Sequence, residues 1–293
     1  MLSATLCMAQ CLQIVLQAYF AVTRIALYTL TRNPRLMLEN LTADDLCAAY
    51  LGDIQRLMER ILVEEKVSLE LAANRVADQI FLDRLVHIYG PGGHSNLAAQ
   101  EIFFRAGGLM HVSAVLDEGT LLSNGALRSM AIERTPGYGK VVIQDWQLDA
   151  GDLLILVNAY GINAALIDAA LEARRRGVFV IGFSSREHAT QTDKKHPARH
   201  PSCSDLHEVV DIAIDTKIAI GDAIVTVPGM SERIAAVSTF ANAFALNNLV
   251  IRTVKKLTAR GMEVPVWRSG NAFGGDEANA RFISRFRGRV KRL

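Results

Sequence analysis

Leu85-Val86-His87-Ile88-Tyr89-Gly90-Pro91-Gly92-Gly93-His94-Ser95-Asn96 is the stretch that decides the fold of this 293-residue chain. Its first residues are those of a short apolar strand, its glycines predict a tight turn, and a helix is predicted to begin near Asn96. We expect that helix to end at Gly107–Gly108, because glycine suits the left-handed conformation that often follows the last helical turn. The stretch therefore predicts a strand–turn–helix unit.

The glycine-rich turn is a candidate anion site, most naturally for a phosphate. Gly92 and Gly93 lack a Cβ, so a ligand can approach the backbone closely. The first amides of the following helix have no intrahelical acceptor and carry the positive end of its dipole. Ser95 or Asn96 is expected to cap the helix and to contact the anion. The turn is not a P-loop, since no Gly-Lys-Ser/Thr follows, and Ser95 stands where a dinucleotide fingerprint has its third glycine.

Composition excludes some classes of partner. A net charge of +2 is too small to favour nucleic acid or a membrane surface. The basic run Arg281–Arg289 is interpreted as a solvated helix face. The four cysteines show neither a CxxC pair nor metal-like spacing with histidine, so we expect free thiols and a cytoplasmic location. We also expect neither a metal nor a cofactor.

The first forty residues are predicted to lie outside the domain, which then spans 41–293. Leu2–Leu30 is apolar but lacks the basic start of a secretory signal, and it only approaches the roughly 20 apolar residues of a membrane span. Met37 is a second in-frame start. The sequence of this segment fits equally well an upstream extension from a misassigned start and a weakly membrane-associated helix. Thr42–Asp45 resembles a capping box and is predicted to open a long helical region.

Strands and helices alternate along the rest of the chain. Further strands are predicted at Met110–Val115, Asp152–Val157, Val178–Phe183 and Val209–Asp215, the second being a continuous apolar run typical of a strand covered on both faces. Ser231–Arg260 is predicted to be one long helix. The polar residues 187–204 are predicted to form a surface loop. This alternation indicates parallel pairing and a three-layer α/β/α domain.

Ligands of such sheets bind beyond the carboxyl ends of the strands, where the strand order reverses. Three predicted turns lie at such ends, and their polar and glycine residues are the candidate binding set: Gly92, Gly93, Ser95, Asn96, Asn158, Gly161, Asn163, Ser184 and Ser185.

Several motifs resemble those of the SIS (sugar isomerase) domain family. Within that family, the likeness is to bacterial SIS proteins that are grouped near phosphoheptose isomerase. They are Tyr89–Ser95, Gly151–Ile155, His200-Pro201-Ser202, Gly221-Asp222-Ala223 and Gly274–Asn279. The resemblance covers roughly Leu41–Leu293. It implies a flavodoxin-like, five-stranded parallel sheet, a homodimer or tetramer, and a phosphorylated sugar held by hydroxyls after the first and third strands. Where the family has a Ser-x-Ser-Gly pattern, this chain has Asn158-Ala159-Tyr160-Gly161, which predicts a cradle of different shape.

An aldose–ketose isomerase needs a base that moves a proton between adjacent carbons. Glu101, Glu133 and His94 are the candidate catalytic residues, and His200 lies in the polar loop. Arg128 is suited either to a ligand phosphate or to an ion pair with Glu133.

The sequence is compatible with two functions from different classes. One is a phosphosugar isomerase, and the other is a non-catalytic SIS module that binds a sugar phosphate as a sensor or partner-binding dimer. A DNA-binding regulator is disfavoured, because residues 41–83 are predicted to form long helices and not a helix-turn-helix. A dinucleotide enzyme with Asp117 or Glu118 as its ribose acid is a distant alternative.

Overall fold

The computed structural model describes residues 45–293. The chain divides into two compact units, Met1–Gly52 and Asp53–Leu293, and the second contains the sheet. The predicted extension 1–40, the start at Met37 and residues 42–44 of the capping motif lie outside the described residues. Asp45 is described, and its Oδ1 accepts hydrogen bonds from the amides of Cys47 at 2.9 Å and Ala48 at 3.3 Å. This carboxylate therefore caps the helix that follows.

The centre of the fold is a five-stranded, all-parallel sheet of order β2-β1-β3-β4-β5. The predicted three-layer, flavodoxin-like arrangement is confirmed. A separate antiparallel hairpin pairs β6 with β7. The strands are β1 (Val86–Tyr89), β2 (Val112–Val115), β3 (Leu153–Val157), β4 (Phe179–Ser184), β5 (Ile212–Asp215), β6 (Ala223–Val225) and β7 (Ile234–Ala236).

Ten α-helices are described between residues 45 and 293. They are α1 (Leu46–Glu64), α2 (Lys66–Phe81), α3 (Ser95–Ile102), α4 (Ala126–Glu133), α5 (Tyr138–Asp145), α6 (Ala164–Arg175), α7 (Arg186–Gln191), α8 (Leu206–Val209), α9 (Ser238–Ala259) and α10 (Gly275–Phe286).

The sheet is buried because helices cover both of its faces. Every residue of β3 is buried, as its continuous apolar run predicted. On one face α5, α6 and α8 pack on the strands and form a core with Tyr89, Leu154 and Leu166. Helices α2, α3 and α9 cover the other side. The strand order reverses between β1 and β3, which places a crevice at their carboxyl ends.

Two predicted helix boundaries are wrong for identifiable reasons. Helix α3 ends at Ile102, because Phe103 is extended and Phe104 has a positive φ of 48°. Gly107 and Gly108 instead exchange backbone hydrogen bonds with Trp267, at 2.7 Å and 2.9 Å. These two glycines therefore belong to a loop that pairs with the backbone of Trp267, and they do not cap α3.

The predicted helix Ser231–Arg260 is also shorter than expected. Residues Ile234–Ala236 form β7, and α9 begins only at Ser238. The residues of β7 alternate between exposed and half-buried, which is the pattern of a strand and does not continue the helical period. The polar segment 187–204 contains part of the short helix α7, whose N-terminus is capped by Ser185.

The basic C-terminal run is held by ion pairs. Arg285 and Arg289 both contact the carboxylate of Asp83, at 2.7 Å and 3.2 Å, and Lys291 contacts that of Asp145 at 2.7 Å. These contacts fix the end of the chain against the domain.

Phe286 anchors α10, since it is fully buried beside Met110, Trp267 and Val290. We expect Phe286→Leu to lower the free energy of unfolding by about 1–2 kcal/mol, because the smaller side chain leaves part of the space empty. Phe273→Leu is the matched control, because Phe273 is fully exposed and its replacement is expected to be neutral. Urea unfolding of both variants measures the difference. Equal midpoints would show that α10 adds nothing to the core.

Candidate functional site

A cavity of about 250 Å³ lies beyond the carboxyl ends of β1 and β3. Four parts of the chain build its wall: the turn after β1, helix α4 with the 3₁₀ turn before it, the turn after β3, and a pair formed by Asp222 just before β6 and Ser238 at the start of α9. Its lining residues are Gly93, His94, Ser95, Leu122, Ala126, Ser129, Met130, Glu133, Asn158, Ala159, Tyr160, Asn163, Asp222 and Ser238.

The first turn is held in shape by Asn96. The side-chain Nδ2 of this buried residue donates to the carbonyl oxygens of Gly92 at 2.9 Å and Thr120 at 3.0 Å. Asn96 therefore closes the turn from behind and does not line the cavity. Gly90 is required here, since a Cβ at this position would lie 1.9 Å from the carbonyl oxygen of Ser95.

Asn158 joins the two turns. Its Oδ1 accepts hydrogen bonds from the amides of Tyr160 at 3.0 Å and Gly161 at 2.9 Å. Its Nδ2 donates to Ser95 Oγ at 3.2 Å and to the carbonyl oxygen of Pro91 at 3.3 Å. The asparagine thus shapes its own turn and fixes it to the turn after β1.

Glu133, the last residue of α4, reaches both turns. A Cβ at Gly92 would lie 2.1 Å from its Oε2, so the carboxyl group rests directly on the glycine backbone. Its Oε1 accepts a long hydrogen bond of 3.4 Å from Asn163 Nδ2. Burial raises the pKa of Glu133 to about 7, although the nearby Arg134 guanidinium lowers it. A carboxyl group with this pKa is suited to proton transfer near neutral pH.

Tyr160 forms a rigid part of the wall. Its ring stacks on that of His188 with 3.7 Å between centroids, and His188 Nδ1 lies 3.0 Å from Thr192 Oγ1. Burial is the largest of the causes that raise the pKa of the Tyr160 phenol. The phenol is therefore a neutral hydrogen-bonding group at physiological pH.

Asp222 and Ser238 line the cavity and were not among the predicted site residues. Asp222 Oδ1 accepts from the amides of Val237 at 3.0 Å and Ser238 at 2.7 Å, and its Oδ2 accepts from Ser238 Oγ at 2.6 Å. These donors stand at the N-terminus of α9. The Gly221-Asp222-Ala223 motif was the only sequence feature that pointed to Asp222. Because the helix was predicted to begin at Ser231 and not at Ser238, the contact of Asp222 with the N-terminus of α9 was not predicted.

The other predicted residues have different surroundings. Gly93, His94, Ser95, Glu133, Asn158 and Asn163 come together in the cavity, whereas Gly161, Ser184 and Ser185 do not line it. A Cβ at Gly161 would lie 2.6 Å from Ser184 Oγ, so that serine lies beneath the second turn. Ser185 Oγ accepts from the amide of His188 at 3.1 Å and caps α7.

Glu101 lies outside this cavity. Its Oε1 is 3.6 Å from Arg105 Nε and 3.4 Å from Asn247 Nδ2, a side chain of α9. The geometry of the cavity gives it no role in the chemistry there, so its predicted catalytic function has no support from this site.

Three further residues with candidate roles have other partners or positions. His200 Nε2 is 3.2 Å from Asp168 Oδ1, away from the cavity. Asp117, the distant candidate for a ribose acid, accepts from the amide of Thr120 at 3.1 Å and caps a 3₁₀ turn. Arg128 does not line the cavity.

Residues 45–293 contain neither a candidate membrane-spanning helix nor a candidate metal site. No helix in this range has the length and apolar character to span a bilayer. Within the same range, no three His, Cys, Asp or Glu side chains are grouped as a metal site would require.

A family model described as the SIS domain matches residues 49–185. The UPF0309 protein of Halalkalibacterium halodurans is 34% identical over 245 residues, which cover 84% of this chain and 96% of that protein. The UPF0309 protein of Streptomyces griseus is 36% identical, over 80% of this chain and 92% of that protein.

A solved structure titled as a phosphoheptose isomerase from Francisella tularensis is similar to this chain with a TM-score of 0.48 and 12% identity, over 73% of this chain and 100% of that one. The chain therefore belongs to the family of UPF0309 proteins, and its residues 49–185 match the SIS domain.

Proposed function

We propose that this protein binds a phosphorylated sugar in the cavity between the turns after β1 and β3 and isomerises it between aldose and ketose forms. The match to the SIS domain supports the sugar-phosphate part of the proposal. The turn after β1 supports it physically, because the positive end of the α3 dipole lies at this turn and suits an anion, although the amides of Asn96 and Leu97 already donate to the carbonyl oxygens of Gly92 and His94. The cavity of about 250 Å³ suits a small molecule such as a monosaccharide phosphate.

The observation that carries the catalytic part is the position of Glu133. Its carboxyl group lies against Gly92 in the turn proposed to bind the phosphate, and burial raises its pKa to about 7. In the proposed reaction Glu133 moves the proton between adjacent sugar carbons, and His94, exposed at the same wall, assists ring opening. Asn163 orients the Glu133 carboxyl group.

A non-catalytic sensor with the same ligand is the alternative. Amides and hydroxyls alone would suffice for it, and a buried carboxyl group at the ligand would add a cost in binding a phosphate. The presence of both Glu133 and His94 at the cavity favours the isomerase.

We also propose that the protein forms a homodimer or a tetramer whose interface consists of long helices. On α2 and α9, Val67, Leu71 and Ile251 leave more than half of their surface exposed. We also propose a cytoplasmic location and no cofactor.

The binding step is tested by a thermal-shift screen of pentose, hexose and heptose phosphates. We expect at least one to raise the midpoint of unfolding, and Ser95→Ala to remove most of that rise, because Ser95 Oγ lies at the junction of the two turns. Ser202→Ala is the matched control, since Ser202 is exposed and contacts His200 outside the cavity. A screen without any stabilisation would refute the phosphosugar proposal, and an unchanged shift in Ser95→Ala would remove Ser95 from the site.

A further inference from the structure

The position of Glu133 depends on the C-terminal end of α4, because little else holds that helix. Ser129 is the only buried residue of α4, and its Oγ donates to the carbonyl oxygen of Thr120 at 2.7 Å. Leu127, in the first turn, leaves 78% of its surface exposed. Since most of the stability of a helix in a protein comes from packing, α4 is weakly held along its length. The contacts at its last residue therefore fix the carboxyl group.

Helix α6 holds that end of α4 at two points. Asn163, the residue before α6, donates from Nδ2 to Glu133 Oε1 at 3.4 Å. Asp168, within α6, accepts at Oδ2 from the amide of Gly137 at 2.5 Å. Gly137 is the last residue of the linker between α4 and α5. The segment that begins at Glu133 is thus attached to α6 at both of its ends.

His200 holds Asp168 from its other side. His200 Nε2 lies 3.2 Å from Asp168 Oδ1, and the two side chains are only 12% and 13% exposed. The amide of Ser202 donates to His200 Nδ1 at 3.1 Å, so the proton of the neutral ring lies on Nε2 and is donated to Asp168. The amide of His200 also donates to the carbonyl oxygen of Ile162 at 2.9 Å, next to Asn163. His200 therefore supports both points at which α6 holds the end of α4.

We infer that His200 is a positioning residue for the proposed reaction, and that it fixes the Glu133 carboxyl group through Asp168 and the Gly137 amide. The inference rests on the proposed function, in which Glu133 moves the proton. Without the hydrogen bond from His200, the Asp168 carboxylate can rotate away from Gly137. A displacement of about 1 Å at a reacting group can lower a rate by about 100-fold, so a residue outside the cavity can control the reaction. This role accounts for the His200-Pro201-Ser202 motif.

The kinetic test removes and then restores the donor at position 200. Proton NMR follows aldose–ketose interconversion of ribose 5-phosphate, fructose 6-phosphate and sedoheptulose 7-phosphate. For the probe with the highest turnover, we expect His200→Ala to lower kcat by about 10- to 100-fold and to leave KM within about twofold. His200→Gln is expected to keep most of the rate, because its side-chain Nε2 is also a donor. A residue that only stabilises the fold would not give this separation of kcat from KM.

A second measurement needs neither ligand nor turnover. Carbon-13 NMR of protein labelled in the glutamate carboxyl groups gives the pKa of Glu133, whose signal is the one missing from Glu133→Gln. Burial raises this pKa from 4.5 to about 7 in the unaltered protein. In His200→Ala we expect it to fall towards 4.5, because a loosened end of α4 admits water to the carboxyl group. In His200→Gln we expect it to stay near 7.

His196→Ala is the matched control, since His196 is an exposed histidine of the same loop whose Nδ1 accepts only from the amide of Ala198, at 3.2 Å. Its kcat and the pKa of Glu133 are expected to be unaltered. Asp168→Asn guards against a local folding defect in His200→Ala. Its single side-chain oxygen replaces two carboxylate acceptors, so we expect it to act in the same direction as His200→Ala. Circular dichroism establishes that each variant is folded.

The outcomes separate this inference from the proposed function. If His200→Ala and Asp168→Asn keep both the kcat and the Glu133 pKa of the unaltered protein, the inference is wrong and the proposed function stands. Equal losses in His200→Ala and His200→Gln would also refute the assigned hydrogen bond. If the unaltered protein interconverts none of the three probes, the proposed isomerase is wrong. The titration then decides the inference alone: a lowered pKa of Glu133 in His200→Ala supports it, and an unchanged pKa refutes it.

Discussion

Glu133→Gln is expected to lower the rate of aldose–ketose interconversion by about 10²–10⁴-fold, the usual contribution of a positioned acid–base group. Glutamine preserves the shape of the side chain and can still accept from Asn163 Nδ2, but it cannot carry the proton. Proton NMR of the sugar phosphate that stabilises the protein follows the interconversion directly. Binding of that ligand is expected to persist, which separates catalysis from affinity.

The same substitution is expected to change how stability depends on pH. Burial raises the pKa of Glu133 from 4.5 to about 7, so the folded protein holds this proton more tightly than the unfolded chain does. The stability from Glu133 is fully present below pH 4.5 and is lost as pH rises through about 7. At about 1.4 kcal/mol per pKa unit, the loss at pH 8 is at most about 3.5 kcal/mol. Glu133→Gln is therefore expected to be the more stable protein at pH 8.

Glu101→Gln is the matched comparison, because the sequence alone marks both glutamates as candidates. Its carboxylate pairs with Arg105 at 3.6 Å and lies outside the cavity. We expect its activity and its pH profile of thermal unfolding to follow those of the unaltered protein. Loss of turnover in Glu101→Gln with full turnover in Glu133→Gln would reverse the assignment.

Gly90→Ala is expected to be the most damaging single substitution in the turn after β1. The new Cβ would lie 1.9 Å from the carbonyl oxygen of Ser95 and 2.4 Å from its carbonyl carbon, and neither backbone atom can move without opening α3. We expect a loss of more than about 4 kcal/mol in the free energy of unfolding, which is exceptional for one methyl group. Urea unfolding, or a failure to recover folded protein, measures it.

Gly93→Ala provides the control within the same turn. Its Cβ would lie 2.4 Å from Leu122 Cδ2, the end of a flexible side chain that can rotate away. We expect a cost of about 1–2 kcal/mol, since only local repacking is needed. If the two variants lose the same stability, the close approach at Gly90 is not what fixes the turn.

The sequence predicted the structure correctly where the residues of one short segment were sufficient to determine its conformation. The continuous apolar run of β3 and the glycines after β1 were enough to predict a parallel sheet and a turn at its edge. The start of α9 was misplaced because apolar residues continue through β7 into the helix, and composition alone does not separate them.

The site was only partly predictable for a related reason. Residues of the turns at the strand ends could be assigned by topology, since carboxyl ends of parallel strands share an edge. Asp222 comes from a hairpin outside the main sheet, and the strand pattern gives no rule that brings this residue to the cavity. Glu133 and Glu101 are equivalent in sequence, and only the packing of α4 against Gly92 distinguishes them.

The bridging side chain of Asn158 has a consequence for how the cleft receives a ligand. Because one amide group holds both turns, through Ser95 on one side and Gly161 on the other, the two walls are set in place before anything enters. Binding then costs the translational and rotational entropy of the ligand but little conformational entropy of the protein. More of the free energy of the contacts therefore contributes to affinity. The empty and the occupied cleft should accordingly superimpose at these turns, with adjustment confined to side chains.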